Sequence, residues 1–253
     1  MKKIFLYSIN NVFCGSDKKD SAKPKEEVIE EIKALVKFGV SGFYLFTPSL
    51  DSNNCEYVAA LASSIKAKLS HIFLIACGDR ANIESLKYLK ANGIDSYNHN
   101  LESVIYSDLD SKIETCQNIL SAGLKLCSGV IFGLGENMEQ RIELLKLLKD
   151  LNPYSSPINF FIPKKTSLAL KKNEALECII LAREILRDSI LILADGREEI
   201  FNQNQKEIFT YGIDAIVLRD CINTEILNKD LLMLRKYNLK IGHILQDRHC
   251  GVV

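Results

Sequence analysis

The chain has 253 residues, which suits one large domain or two small ones. Its 32 basic and 32 acidic residues give a net charge of zero, so charge gives no reason to expect nucleic acid or an anionic membrane as a partner. No apolar run reaches the roughly 20 residues of a membrane-spanning helix. We expect a cytoplasmic globular protein, in which the eight widely spaced cysteines form no disulfide framework.

Short apolar runs alternate with amphipathic runs, which predicts a parallel sheet with helical crossovers. Strands are predicted at about residues 2–8, 41–47, 72–77, 94–98, 125–131, 157–162, 190–195 and 214–218. Helices are predicted at about residues 25–38, 54–68, 81–92, 110–122, 137–150, 173–186, 203–211 and 229–237. A glycine follows several of these helices, and glycine is the usual residue where the chain takes a left-handed backbone conformation just after a helix. These glycines are Gly39, Gly93, Gly123 and Gly212.

Eight strand–helix units predict a protein of the α/β class, a single (βα)8 TIM-type barrel. A doubly wound open sheet is the competing arrangement. No internal repeat and no interdomain linker is evident in the sequence, so we expect one domain over residues 1–253.

Polar side chains follow the predicted fourth strand, at the end where barrels carry their functional groups. Asn98 and Asn100 should lie on one side of an extended chain, because side chains alternate. Two amides on one side suit a neutral polar ligand such as a urea. The alternative is an asparagine-rich turn that satisfies its own backbone.

Glycines mark the segment after the predicted fifth strand. Gly129, Gly133 and Gly135 allow a ligand to approach the backbone closely, and the next helix offers free N–H groups at its amino end. A plain strand-to-helix turn with Glu136 in the first turn is the alternative.

Two further polar residues belong to the predicted sixth and seventh strands. Asn159 is a lone amide in an apolar run and needs a partner in the core or in a ligand. Arg197 follows the next strand and is either an anion clamp or a member of a structural ion pair.

Two thiols end predicted strands, Cys77 on the third and Cys127 near the end of the fifth. Thiolates suit zinc and iron–sulfur clusters, so a metal site is one interpretation. Buried cysteines that act as small hydrophobic residues are the other.

Seven stretches of the chain, in order and spacing, resemble the biotin synthase family over roughly residues 3–220. They are SINNVFCG, GFYLFTPSLD, LIACGDR, SYNHNLE, AGLKLCSGVIFGLGE, SPINFFI and ADGRE. The resemblance implies a radical S-adenosylmethionine barrel that converts dethiobiotin to biotin by sulfur insertion. It also implies a 4Fe-4S cluster held by a CxxxCxxC motif, a 2Fe-2S cluster held by three cysteines and one arginine, and a small-molecule substrate. Residues 220–253 would be a variable C-terminal part.

The family's residues carry over unevenly. The positions where the resemblance expects the four-iron cysteines hold Asp17, Ser21 and Pro24. Three two-iron ligands are matched, and a tyrosine stands in place of the fourth: Cys77, Cys127, Arg197 and Tyr44. The resemblance assigns substrate contacts to Asn98, Asn100 and Asn159. It assigns the S-adenosylmethionine side to Glu102, Gly133 and Gly135, with Lys112 as a replacement for a lost arginine.

Removal of hydrogen from an unactivated C–H bond is beyond acid–base help, which is worth roughly 10²–10⁴-fold, and clusters need thiolate ligands. We therefore expect an inactive or altered homologue that keeps a pocket for dethiobiotin, biotin or an adenosyl compound. The alternatives are a working enzyme with an unconventional or partner-supplied cluster, and a non-catalytic scaffold or interaction protein. The thiols Cys77 and Cys127 could also hold zinc, and the family resemblance implies a homodimer.

Overall fold

A computed structural model describes residues 3–10, 23–47, 50–164, 169–202, 205–218 and 232–241, with only the backbone course for 3–10, 218 and 240–241. The chain forms two compact units. The first comprises residues 1–98, 118–124 and 218–253, and the second comprises residues 99–117 and 125–217. Within the described ranges, no helix is long and apolar enough to cross a bilayer.

Strands and helices alternate along the described chain. The strands are β1 Lys3–Asn10, β2 Gly42–Phe46, β3 Phe73–Cys77, β4 Ser96–Asn98, β5 Lys125–Cys127, β6 Val130–Phe132, β7 Ser155–Phe160, β8 Ile190–Leu193, β9 Ala215–Leu218 and β10 Lys240–Ile241. The helices are α1 Lys25–Val36, α2 Ser52–Lys68, α3 Ile83–Ala91, α4 Leu109–Ser121, α5 Met138–Asp150, α6 Lys172–Ile185, α7 Arg197–Phe201 and α8 Lys206–Thr210.

The first unit contains a parallel sheet in the order β10-β1-β2-β3-β4. β3 is buried along its whole length, as is typical of a parallel strand covered on both faces. α2 turns an apolar stripe inward, at Cys55, Val58, Ala59, Leu61, Ala62 and Ile65. These spacings of three and four residues are what a helix with one buried face requires.

The second unit contains the parallel strands β5, β7, β8 and β9 in that order, and β6 also pairs with β7. The predicted strand at 125–131 is therefore wrong as one element, because Ser128 and Gly129 separate β5 from β6. A Cβ at Gly129 would lie 1.9 Å from the backbone oxygen of Pro157, so only glycine fits there. Three aromatic rings pack near these strands: Phe132, Phe160 and Phe201, with successive centroids 6.3 and 6.1 Å apart.

The residues Gly-Ile-Asp at 93–95 immediately precede β4. They form a set of contacts, called the Gly-Ile-Asp clamp, at the amino end of the sheet in the first unit. Asp95 donates its backbone N–H to the oxygen of Leu74 at 3.0 Å and accepts the Leu74 N–H on its carboxylate at 2.8 Å. Lys66, near the end of α2, donates to the same carboxylate at 2.6 Å and to the oxygen of Ile72. Gly93 has φ +100, and a Cβ there would lie 2.8 Å from Lys66.

A second Gly-Ile-Asp clamp, at residues 212–214, immediately precedes β9 in the second unit. Asp214 donates its N–H to the oxygen of Leu191 at 2.9 Å and accepts the Leu191 N–H at 3.0 Å. Arg183 of α6 pairs with this carboxylate and donates to the oxygens of Gly212 and Ser189. A Cβ at Gly212 would lie 2.7 Å from Arg183. The same three-residue motif thus makes the same contacts at the amino end of one strand in each unit.

The α/β class, the parallel strands and the left-handed glycines at the ends of helices are confirmed. The two compact units do not test the prediction of a single domain, which stays a prediction. The variable part at 220–253 lies mostly outside the described residues, as does much of the predicted helix at 229–237, of which 232–236 is described as helical.

Candidate ligand site at the carboxyl ends of the strands

In the first unit, Cys77 and Asn98 lie side by side at the carboxyl ends of β3 and β4. The thiol donates to the amide oxygen of Asn98 at 3.1 Å, and both side chains are buried. Tyr44 on β2 is also buried, and its strand register places it two residues before the partner of Cys77. Because strand side chains alternate, Tyr44 and Cys77 belong to the same face of the sheet.

Tyr97 supports the chain just after Cys77. Its hydroxyl donates to the backbone oxygen of Asp79 at 2.9 Å. A Cβ at Gly78 would lie 3.0 Å from that hydroxyl, so the loop packs closely on the ring. Burial, and then the nearby Cys77 and Asp79, raise the pKa of Tyr97, so the phenol stays neutral.

In the second unit, the segment after β4 is pinned to the link between β5 and β6. The Gly129 N–H donates to the amide oxygen of Asn100 at 3.0 Å, and Leu101 N–H donates to the Gly129 oxygen at 3.0 Å. His99 N–H donates to the Cys127 oxygen at 2.9 Å. Gly129 was expected to admit a ligand. That expectation is wrong, because the close approach at Gly129 is made by the backbone of β7.

Glu102 and Lys112 meet in the second unit. Glu102 has φ 65, which is uncommon for a residue other than glycine. It is held there by Ile131 N–H, which donates to the Glu102 oxygen at 2.8 Å. Lys112 lies 3.2 Å from the Glu102 carboxylate and donates to the Asn100 oxygen at 3.1 Å. Non-glycine residues with positive φ tend to occur where function requires a fixed geometry.

A second cysteine that contacts His99 is Cys116, which the sequence did not single out. Its thiol donates to the His99 oxygen at 3.6 Å and to the Ser128 hydroxyl at 3.8 Å. Burial is the main cause that raises the pKa of Cys116. The thiol is therefore protonated at neutral pH and is a poor nucleophile.

Asn159 bridges two backbone segments in the second unit. Its amide nitrogen donates to the Val130 oxygen at 3.2 Å, and its amide oxygen accepts the Asp195 N–H at 3.1 Å. An amide has two N–H groups and two lone pairs, so these bonds use half of its capacity. The partner predicted for this lone amide is thus at least in part the neighbouring backbone.

Arg197 is buried at the start of α7. It donates to the Gln205 side chain at 2.6 Å and lies 3.3 Å from the carboxylate of Glu198. Gln205 in turn donates to the Asn202 oxygen at 2.7 Å. Arg197 therefore forms an ion pair with Glu198 within a small hydrogen-bonded cluster, and its role as an anion clamp stays a prediction.

Gly133 and Gly135 form a turn with φ of 96 and 103°, and Glu136 closes it. The two carboxylate oxygens of Glu136 accept the N–H groups of Gly133 and Leu134, each at 2.8 Å. At the start of α5, the Asn137 side chain accepts the Gln140 N–H in a capping box. A carboxylate of the chain thus binds the N–H groups of Gly133 and Leu134, which precede the helix. The prediction that the amino end of the helix offers free N–H groups to a ligand stays a prediction.

The Glu136 carboxylate is also bound by Arg141, whose Nε lies 2.8 Å from it. Arg141 reaches α6 through a second contact, 2.9 Å from the Glu174 carboxylate. Arg141 was not predicted to matter. A signal for Arg141 existed, since it shares a helix face with Leu144, Leu145 and Leu148, where a charge must be paired.

Asp17 and Ser21 lie outside the described residues, and Pro24 is the residue that precedes α1. The structure therefore brings together Cys77 with Asn98, and Glu102 with Lys112, and it places Asn100, Asn159, Gly133 and Gly135 in the second unit. The prediction that Asn98 and Asn100 share one side stays a prediction.

Comparisons with known proteins identify the family of this chain. Residues 7–148 match the Radical SAM superfamily, and residues 157–240 match the Biotin and Thiamin Synthesis associated domain. A biotin synthase of Helicobacter pylori (strain P12) is 40% identical over an alignment of 278 positions, covering 96% of this chain and 99% of the relative. The chain belongs to the biotin synthase family.

A second biotin synthase, from Helicobacter hepaticus, is 41% identical over 268 positions, covering 93% of this chain and 95% of the relative. Both alignments are longer than the 253 residues of this chain. These family members therefore contain residues that have no counterpart here.

Solved structures share the fold. A methylornithine synthase (PylB) superimposes with a TM-score of 0.76 at 13% identity, covering 96% of this chain and 84% of that one. HydG, a maturase of the [FeFe]-hydrogenase, gives a TM-score of 0.72 at 17% identity, covering 85% of this chain and 56% of that one. The predicted (βα)8-type fold class is confirmed.

The biotin synthase family implies iron–sulfur clusters and S-adenosylmethionine. Among the described residues, no three His, Cys, Asp or Glu side chains lie together as metal ligands would. The Cys77 thiol donates a hydrogen bond to the Asn98 side chain, and Tyr44 stands where the resemblance expects a third cysteine. Cys77, Cys127 and Arg197 occupy positions where the resemblance expects two-iron ligands, and only Tyr44 departs from it. A phenol at that position does not match the thiolate that the family's two-iron cluster uses.

Proposed function

We propose that this protein is a biotin synthase homologue that keeps a small-molecule pocket and no longer cleaves S-adenosylmethionine. One observation carries the proposal: the eight cysteines contain no CxxxCxxC motif, and the two nearest, Cys116 and Cys127, are 11 positions apart. A four-iron cluster held by cysteines along one loop needs much closer spacing. Carboxylate, hydroxyl and proline side chains stand at Asp17, Ser21 and Pro24 in their place.

The pocket is supported by side chains that serve recognition. In the second unit, Asn100 and Asn159 are fixed by backbone partners. In the first unit, taken separately, Asn98 is buried beside Cys77. Amides with fixed orientation suit the urea group of dethiobiotin or biotin, which both donates and accepts hydrogen bonds. Glu102, oriented by Lys112 and held at positive φ, suits a hydroxyl donor such as a ribose. The ligand class is therefore a ureido acid or an adenosyl compound.

Calorimetry on the purified chain tests the pocket, with dethiobiotin, biotin and S-adenosylhomocysteine as probes. We expect at least one to bind, and Asn159→Ala to weaken that binding by about tenfold, the effect of one lost hydrogen bond in a buried site. Gln117→Ala, on the exposed face of α4, is the matched amide control and should leave affinity unchanged. If none of the three probes binds, the pocket proposal is wrong.

Iron and sulfide analysis tests the loss of the cluster. Protein isolated without oxygen should be colourless and should produce no 5′-deoxyadenosine from S-adenosylmethionine under reducing conditions. Brown protein that forms 5′-deoxyadenosine would contradict the proposal.

A second candidate is a working biotin synthase whose four-iron cluster has unconventional ligands or comes from a partner. It is favoured by the 40% identity to named biotin synthases across nearly the whole chain and by the retention of Cys77, Cys127 and Arg197. Anaerobic reconstitution with iron and sulfide, followed by the 5′-deoxyadenosine assay, separates the two. A dimer and a cytoplasmic location stay predictions from the resemblance and the composition.

A further inference from the structure

The turn Gly133–Glu136, called here the glycine turn, does not hold its shape alone. Both glycines have positive φ. Glycine loses more backbone conformational entropy on folding than any other residue, so ordering this turn is costly. A Cβ at Gly133 would meet the side chain of Leu170 at 3.2 Å, whereas one at Gly135 would meet nothing within 4 Å. One side of the turn is therefore packed and the other is open. Its order depends on Glu136, whose carboxylate binds the N–H groups of Gly133 and Leu134.

Glu136 is itself held from behind. Its side chain is 3% exposed, and such a carboxylate needs charged or N–H partners to remain buried. Arg141, 5% exposed, supplies one through Nε at 2.8 Å. The Arg141 guanidinium also lies 6.0 Å from the ring centroid of Phe132, the residue just before the glycine turn. Both the turn and the strand that leads into it are thereby tied to α5.

Glu174 of α6 completes the network. It binds Nη2 of Arg141 at 2.9 Å and is 42% exposed, so it is the accessible member of this network. Because Arg141 binds one carboxylate through Nε and a second through Nη2, its rigid planar guanidinium has a fixed orientation. Without Glu174, Arg141 could turn toward solvent and leave Glu136 with weaker support. The network thus couples α6 to the glycine turn.

We propose that Arg141 and Glu174 are positioning residues that set the glycine turn for the adenosyl part of the ligand. This inference rests on the proposed function, since the resemblance assigns Gly133 and Gly135 to the adenosyl side. If the turn has the binding conformation in only a fraction of the molecules, the apparent affinity for the ligand is reduced by that fraction. The network should therefore govern adenosyl affinity and leave the affinity for a ureido acid unaltered.

The test uses Glu174 because removal of buried Arg141 would leave the Glu136 charge unpaired and could unfold the protein. Lys172→Gln is the matched control: it removes an ion pair of similar exposure on the same helix, to Glu207 at 2.6 Å, that does not reach the turn. Calorimetry is done with S-adenosylhomocysteine and with dethiobiotin. Hydrogen exchange of the peptide spanning the glycine turn is measured alongside.

We expect Glu174→Ala to weaken S-adenosylhomocysteine binding by about three- to fivefold, as the loss of a partly exposed ion pair allows. Dethiobiotin affinity should stay within about twofold, and Glu174→Gln, which keeps a hydrogen-bond acceptor, should restore part of the loss. Exchange in the glycine turn should accelerate in Glu174→Ala and not in Lys172→Gln.

An equal loss for both ligands in Glu174→Ala, or no loss for S-adenosylhomocysteine, overturns this inference and leaves the pocket proposal standing. Dethiobiotin binding by the unmodified protein with no S-adenosylhomocysteine binding also overturns the inference alone. An unmodified protein that binds neither of these two probes nor biotin overturns the proposed function and this inference together.

Discussion

Gly129→Ala should be among the most damaging single substitutions in the second unit. The added Cβ would lie 1.9, 2.7 and 2.8 Å from the oxygen, carbon and nitrogen of Pro157, all of them backbone atoms of β7. Ordinary contact begins near 3.4 Å, so the two segments must separate by about 1.5 Å. Overpacking costs about 1–3 kcal/mol, and the bonds of Gly129 to Asn100 and Leu101 are worth about 1 kcal/mol each. We expect a loss of about 3–5 kcal/mol in the free energy of unfolding.

Gly123→Ala is the control for this experiment. Its Cβ would meet no atom within 4 Å, and its φ of +77 alone should cost about 1–2 kcal/mol. Urea unfolding followed by circular dichroism gives both free energies, with the slope checked for two-state behaviour. Equal costs for the two variants, or a cost below about 1.5 kcal/mol for Gly129→Ala, would refute the claim that backbone approach requires this glycine.

Three further outcomes are expected. Asp214→Ala should lower the free energy of unfolding by about 1–3 kcal/mol, because it strips the Leu191 N–H and Arg183 of a partner; urea titration measures this, and no loss would exclude a stabilising clamp. Burial raises the pKa of Cys178 to about 12, above its ordinary 9.0, so folding favours the protonated thiol, and this stability, complete below pH 9, is lost as pH rises toward 12. Chemical unfolding between pH 8 and pH 11 should therefore show a steeper loss in the natural protein than in Cys178→Ala, and parallel curves would contradict it. Glu102→Gly should stay within about 1 kcal/mol of the natural protein, whereas Glu102→Val should lose about 1–2 kcal/mol more, since a β-branched residue tolerates positive φ poorly; thermal unfolding ranks the two, and the reverse order would contradict the strain at Glu102.

Local sequence patterns were sufficient to predict most of the helices and strands. Gly93 and Gly212 each end a helix at positive φ, and the strands that follow them are where the apolar runs predicted. The division between β5 and β6 was missed because apolar residues continue on both sides of Ser128 and Gly129. Its cause, the Pro157 backbone, lies 28 residues further along the chain and leaves no local signal.

The candidate site was predicted where motifs are local and missed where partners are distant. Glu136 was seen as part of a helix start, but its real partners include Arg141 and, through it, Glu174. Hydrophobic patterning shows that Arg141 occupies an apolar face, and it does not show which carboxylate meets it. The role of the Tyr97 hydroxyl likewise depends on a backbone oxygen that only the fold brings near.

The two Gly-Ile-Asp clamps lie at the amino ends of their strands, away from the carboxyl ends where the candidate ligand residues lie. Asp95 and Asp214 fix the amino ends of β4 and β9, whereas Asn98, which we propose for ligand recognition, lies at the carboxyl end of β4. Closure entropy changes only slowly with loop length, so trimming a loop at the finishing end disturbs neither clamp. Loops at the carboxyl ends of the strands can therefore differ in length between family members while Asp95 and Asp214 keep the amino ends of β4 and β9 in place.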